Sequence, residues 1–248
     1  MFKKEKAEIV EEFIEEIYDK GTVLSNYFTL DLDDIEYFKT EFSIVLRKTF
    51  TGFARLYFLT NNIEDLKLVL NQIEGTSVVN IPTKDDIKEF DNVMTSSGFS
   101  LFKIYEVYVN NESRGNDVFV DQFAKHEDFE SVKHLLYSEL DIFADHLPND
   151  DELVQMIRNK QVLVNYENDI IAGVFIFSLH GKKCYFNYWV DTSKNGLFLI
   201  FNMYNFLKQK DITYAYLWVN TKNEKVKKIH KLFGCQPNNT KDYIYIKN

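Results

Sequence analysis

Asn223-Glu-Lys-Val226-Lys-Lys-Ile229-His230-Lys-Leu-Phe233-Gly234-Cys235 places four apolar or aromatic-like side chains at helical spacing. Val226, Ile229, His230 and Phe233 recur at i, i+3, i+4 and i+7, so they share one face of a helix, and Gly234 supplies the left-handed residue that ends it. His230 therefore faces inward. Taken by itself, such a residue reads as a core histidine bonded to a neighbouring carbonyl.

Working outward, the pattern alternates between helix and strand. Ahead of this helix lie a strand near 213–219 and a helix near 194–209; after it comes a strand near 242–247. Further upstream, Val162–Tyr166 and Ile170–Leu179 flank the turn Glu167-Asn168-Asp169, an antiparallel hairpin, and Cys184–Val190 adds a strand after His180-Gly181. A strand at 117–123, a helix at 127–142 carrying Val132, Leu135, Leu136 and Leu140, and a short helix at 150–159 beyond Pro148 precede the hairpin. The first half reads as a helix over 2–20 with a Gly21 stop, a second helix near 32–48, and then strand 53–60, helix 63–74, strand 76–81, helix 84–97 and strand 99–109. Asn110-Asn-Glu-Ser-Arg-Gly-Asn116 reads as a polar linker. The expected class is α/β (α+β), a mixed central sheet flanked by helices.

The hairpin Val-Leu-Val-Asn-Tyr-Glu-Asn-Asp-Ile-Ile-Ala-Gly-Val-Phe-Ile-Phe over 162–177 and the helix over 223–235 stand in the order and distance found in GNAT acyltransferases. Residues 116–248 resemble that family, with Gly173 at its hairpin glycine and Asn223…Gly234 similar to its Asn-x-x-Ala-x-x-x-Tyr-x-x-x-Gly-Phe ending. The family's tyrosine is a histidine here. In the first half, Gly98-Phe99 closes a helix as Gly234-Cys235 does, which suggests two tandem GNAT-like halves: a degenerate one over 1–115 with leading helices, and an acyltransferase domain over 116–248. The same Gly-Phe pair is also a common helix C-cap.

The totals set limits. The 248 residues carry a net charge of −9, which repels nucleic acid and anionic membranes overall, while the lysine-rich segment Lys222–Lys231 can attract a polyanion such as coenzyme A locally. With 22 Phe and 15 Tyr, the aromatic load reads as core and cleft wall rather than base stacking. The start reads as an amphipathic helix rather than a signal peptide, and the chain is expected to be soluble and cytoplasmic. Cys184 and Cys235 lack metal-type spacing and read as reduced, structural thiols; the five histidines form no metal motif. No metal is expected.

The resemblance implies a cofactor, acetyl-CoA or another acyl-CoA, and a site for it. Its pyrophosphate is expected at the start of the helix after the fourth strand, where an open N-terminus suits an anion. Here that segment is Val190-Asp-Thr-Ser-Lys-Asn-Gly-Leu197, so Lys194 and the N–H groups of Asn195, Gly196 and Leu197 are the candidates; the bland alternative is a helix start capped by Thr192 or Ser193. The first-half counterpart, Thr60-Asn-Asn-Ile-Glu64-Asp65, has no glycine and puts two carboxylates in the first turn, which oppose phosphate. One cofactor site per chain is therefore expected, in the second half. The resemblance further implies that the Tyr188–Val190 backbone polarises the thioester carbonyl, that Asn223 contacts the cofactor, and that His230, with a reference pKa of about 6.5, donates a proton as imidazolium to the departing thiolate. Asp145, His146 and Tyr185 are the candidate acceptor-side residues. The expected activity is acyl-CoA-dependent N-acylation, of acetyl groups first, of a small-molecule amine or amino acid. The alternatives are an aminoacyl- or carrier-protein-dependent transferase and a non-catalytic CoA-binding regulator.

Overall fold

The computed structural model describes residues 2–26, 32, 35–112, 115–116, 118–194 and 196–248. Along the chain run β1 (Lys3–Lys4), α1 (Ala7–Tyr18), β2 (Leu24–Ser25), β3 (Glu36–Lys39), β4 (Ser43–Phe50), β5 (Phe53–Thr60), α2 (Ile63–Asn71), β6 (Ser77–Thr83), α3 (Lys88–Ser96) and β7 (Ser100–Asn110). There follow α4 (Phe129–Glu139), α5 (Asp150–Arg158), β8 (Val162–Glu167), β9 (Ile170–His180), β10 (Lys183–Asp191), α6 (Phe198–Gln209), β11 (Tyr214–Asn220), α7 (Glu224–Leu232) and β12 (Gln236–Lys247). Among the described residues no helix is long and apolar enough to cross a membrane.

Two compact units divide the chain: Met1–Ile104 with Thr240–Asn248, and Tyr105–Asn239. These divisions differ from the 115/116 boundary placed in the polar linker. The reason is that β7 and β12 are long strands, and each contributes residues to both units.

In the first unit the strand order is β1-β3-β4-β5-β6-β12, with β5 and β6 parallel and the other neighbours antiparallel. Alternation along the strands sorts two cores. Val45, Leu56 and Phe58 pack with α2 and α3, whereas Ile44, Leu46 and Leu59 pack with α1. The helix expected near 32–48 is not formed: 36–39 and 43–50 are strands. Residues 44–46 form a buried apolar run whose Ile and Val fit a pleated surface, and its apparent helical spacing is the product of both faces being covered.

In the second unit the order is β7-β11-β10-β9-β8. Leu163, Phe175 and Phe177 meet α6 and α7, and their neighbours Val162, Val164, Val174 and Ile176 meet α4 and α5. Each such side chain, fully withdrawn from water, contributes about 1.5–3 kcal/mol before entropy is counted. The β8–β9 turn carries Asn168 and Asp169 at φ 53° and 62°, the left-handed pair a two-residue hairpin requires. No strand forms over 118–123; Phe123 makes a single bridge to Leu163, because Asn202 on α6 satisfies the backbone of Val120 instead, accepting from its N–H at 2.8 Å and donating to its carbonyl at 2.9 Å.

Candidate active site

β10 and β11 pair in parallel from Lys183 opposite Tyr214 to Phe186 opposite Leu217 and then part, although both strands continue. A bulge explains the parting. Phe186 faces Phe177 of β9 and Tyr188 faces Ile176, so Asn187 is an extra residue that the antiparallel ladder does not match. A bulge bends its strand and leaves the extra residue out of the ladder. The wedge so opened is a cavity of about 230 Å³, lined by residues that include Asn187, Tyr188 and Trp189 of β10, Trp218 of β11 and Val226 and His230 of α7.

His230 reaches this cavity as the helical spacing predicts, and it is buried. Its Nδ1 lies 3.1 Å from the Tyr204 hydroxyl, which is also 3.0 Å from the Cys235 sulfur. The partner is thus a buried tyrosine on α6, not the neighbouring carbonyl of the bland reading. Trp189 meets the imidazole edge-on at 5.9 Å, and burial pushes the His230 pKa down to about 3. The ring is neutral at ordinary pH. Burial among aromatic side chains therefore works against the expected imidazolium donor.

The other sequence candidates sort into three places. Tyr188, Asp145 and Asn223 join His230 at the cavity. The Tyr188 hydroxyl donates to the His146 carbonyl, and burial raises its pKa. Asp145 accepts from the Tyr105 hydroxyl through Oδ1 and from the Asp141 N–H through Oδ2, both at 2.8 Å. Asn223 is the α7 N-cap, its Oδ1 accepting from the Val226 N–H at 3.1 Å. His146 contributes its backbone to Tyr188 while the residue itself is exposed. Tyr185 lies in the still-paired part of β10, stacked on Tyr216 at 4.9 Å and outside the cavity lining.

The third place is the turn into α6. Val190 is buried in the apolar core, so only its backbone is offered; Lys194 and Leu197 are exposed, Gly196 is half-buried, and Asn195 lies outside the described residues. Leu197 is the N-cap and makes no side-chain cap bond, so neither Thr192 nor Ser193 is the N-cap, and among the described residues no side chain caps the first N–H groups, which suits an anion. Asp191 stands in the same turn. Its Oδ1 accepts from the Ser193 N–H at 2.9 Å, its Oδ2 is buried without a partner among the described residues, and burial raises its pKa. Gly173 permits this approach, since a Cβ there would sit 2.9 Å from both Asp191 Cγ and Leu199 Cδ1.

Sequence reasoning missed Tyr204, Asn187 and the tryptophans. A polar Asn187 interrupting an apolar strand was the available sign of the bulge; Tyr204 carried none, because a tyrosine in an apolar helix reads as core. The indole N–H of Trp189 is buried without a partner among the described residues, a donor beside the cavity. Among the described residues no group of His, Cys, Asp or Glu is arranged to hold a metal ion.

The first unit has a comparable parting, filled from within. β5 and β6 pair in parallel only from Ala54 opposite Ser77 to Leu56 opposite Val79. Beyond that, β2 pairs with β5, Leu24 opposite Thr60 and Ser25 opposite Leu59. Buried Asn26 donates to the carbonyls of Leu56 (3.1 Å) and Asn80 (2.8 Å) and accepts from the Phe58 N–H at 2.6 Å, bridging the two strands. Asn62 caps α2 by accepting from the N–H groups of Glu64 and Asp65, occupying that helix start.

No protein-family model matches this sequence, and neither does any curated protein. Solved structures do. A GCN5-related N-acetyltransferase from Sphaerobacter thermophilus superimposes with a TM-score of 0.60 at 10% identity, covering 88% of this chain and 82% of that one. A GNAT-family acetyltransferase from Colwellia psychrerythraea gives 0.58 at 10% identity, over 99% and 98% of the two chains. A tandem GNAT protein from the clavulanic acid biosynthesis pathway gives 0.52 at 10% identity, over 83% and 78%. The fold is that of GCN5-related N-acetyltransferases, tandem members included.

Proposed function

We propose that this chain is an N-acyltransferase that takes an acyl group, acetyl first, from acyl-CoA to the amine of a small molecule, and that the second unit carries the reaction. The observation that carries the reading is the wedge between β10 and β11. It opens at a bulge on β10, is left unfilled by the described residues, and lies on the strand whose chain leads on into the start of α6. Bound acyl-CoA supplies a thioester-activated acyl group. The residues present fit it: the wedge suits a narrow arm, the α6 N-terminus and Lys194 suit phosphate, and Asn223 stands at the wedge's rim.

The bulge leaves Asn187 out of the β9 ladder, and a backbone N–H there would stabilise negative charge on a carbonyl oxygen, the preorganised donation that lowers acyl-transfer barriers. When the Tyr204 hydroxyl donates to Nδ1, His230 carries its proton on Nε2 and can act as a neutral hydrogen-bond donor to a leaving sulfur. A thiolate with a pKa near about 8.5 tolerates that weaker assistance. Asp145 stands where an amine must be held and relieved of a proton. The first unit, on this reading, is a degenerate counterpart whose wedge is closed by β2 and Asn26, which supports one cofactor site per chain.

Asp191 favours a second reading. A carboxylate in the phosphate turn weakens the hold on free coenzyme A and suits a donor carried on a protein or tRNA. Free-thiol release from acetyl-CoA across an amine panel tests the first reading. Turnover that falls at least tenfold in Asp145→Asn supports it; turnover only with carrier-borne donors replaces it with the second.

A further inference from the structure

The cavity has a charge signature that specifies what enters it. Its described lining holds one carboxylate, Asp145, one neutral imidazole, His230, and neither lysine nor arginine. Both Asp145 oxygens accept from neutral donors only, the Tyr105 hydroxyl and the Asp141 N–H, and among the described residues no cation is paired with it. Each oxygen retains a free lone pair. Around this carboxylate the walls are aromatic, Phe175, Phe186, Tyr188, Trp189 and Trp218.

Resting on the acyltransferase reading, we infer that the acceptor is a small monocationic amine with an apolar or aromatic body and no carboxylate of its own, held by its ammonium on Asp145. The ammonium gains a charge-assisted hydrogen bond and the faces of the rings. A free amino acid is rejected by the same geometry. Its α-carboxylate would enter beside Asp145 with no lysine or arginine to meet it, an unpaired charge taken out of water. Size narrows the class further. At about 230 Å³ the cavity falls below the roughly 300–1,000 Å³ of ordinary drug-sized sites and must also admit the acyl end of the donor, so the acceptor is small.

The chain contains two tryptophans, and both line this cavity, so intrinsic fluorescence reports on it directly. The test titrates the full chain with 2-phenylethylamine and, separately, with phenylalanine, which differs by the α-carboxylate. Saturable binding of the amine, at least about tenfold tighter than that of the amino acid, is expected. Asp145→Asn should abolish the difference, while Asp145→Glu, which keeps the charge, should preserve the preference. Phenylalanine binding equally well, no binding of the amine, or an Asp145→Asn chain that discriminates as before would overturn the inference. Asp145-dependent amine binding without any acetyl-CoA consumption would instead leave it standing and remove the acyltransferase reading. Acetyl transfer to amino acids that ignores Asp145→Asn would do the reverse.

Discussion

Replacing His230 by phenylalanine is expected to change the acid sensitivity of folding, and the size follows from where the ring sits. The imidazole is enclosed by Tyr204, Phe186 and Trp189, and burial holds its pKa at about 3 in the folded chain. Unfolded, it titrates at about 6.5. As pH falls below that value the unfolded chain takes up the proton first, so the stability tied to the neutral ring is complete above about pH 6.5 and is lost on the way down to about pH 3. Between about pH 7 and about pH 5 the loss is about 2 kcal/mol, and the full shift corresponds to about 5 kcal/mol. Asp242 works in the opposite direction: burial raises its pKa to about 6, so it favours the folded state as pH falls toward its unfolded value. Wild type alone therefore mixes two slopes. The assay is urea denaturation of wild type and His230→Phe at both pH values, followed by far-UV circular dichroism. The stability difference between them should shift by about 2 kcal/mol against wild type on acidification. A difference independent of pH would mean that the imidazole titrates normally when folded, and would restore the imidazolium as a proton donor.

Two further expectations concern packing. Gly173→Ala should destabilise by about 1–3 kcal/mol, because its Cβ would meet Asp191 Cγ and Leu199 Cδ1 at 2.9 Å, whereas Gly196→Ala meets nothing nearer than 3.6 Å and should be tolerated; thermal melts of the two variants compare them directly. Asn26→Leu leaves the Phe58 N–H and the Leu56 and Asn80 carbonyls without their bridge, at about 1–3 kcal/mol for each group left buried and unsatisfied, and chemical denaturation should register a loss of at least that size.

Much of this was legible in the residues, for identifiable reasons. Helices with a single buried stripe and a glycine stop announced themselves: α7 places Ile229 and His230 inward, and Gly234 takes φ 90° to end it. The hairpin was equally plain from Asn168-Asp169. Where both faces are covered, periodicity fails, and β4 was read as helix because Ile44, Val45 and Leu46 are all buried. The site was half legible. Spacing brought His230 to the cavity wall, but its protonation depends on Tyr204, Phe186 and Trp189, which converge only in the fold. The bridging role of Asn26 is still less visible, since its partners Leu56, Phe58 and Asn80 are 30, 32 and 54 residues away.

The central claim is that one wedge per chain, the one between β10 and β11, takes acyl-CoA. Calorimetric titration of the whole chain with acetyl-CoA, beside Gly196→Glu, tests it most directly, because a Cβ at Gly196 meets only ordinary contacts and the new carboxylate would stand at the α6 start. The account predicts one site per chain in wild type and binding weakened at least about tenfold in the variant, through repulsion of phosphate at the helix N-terminus. Two equivalent sites, or binding that Gly196→Glu leaves unchanged, would contradict it.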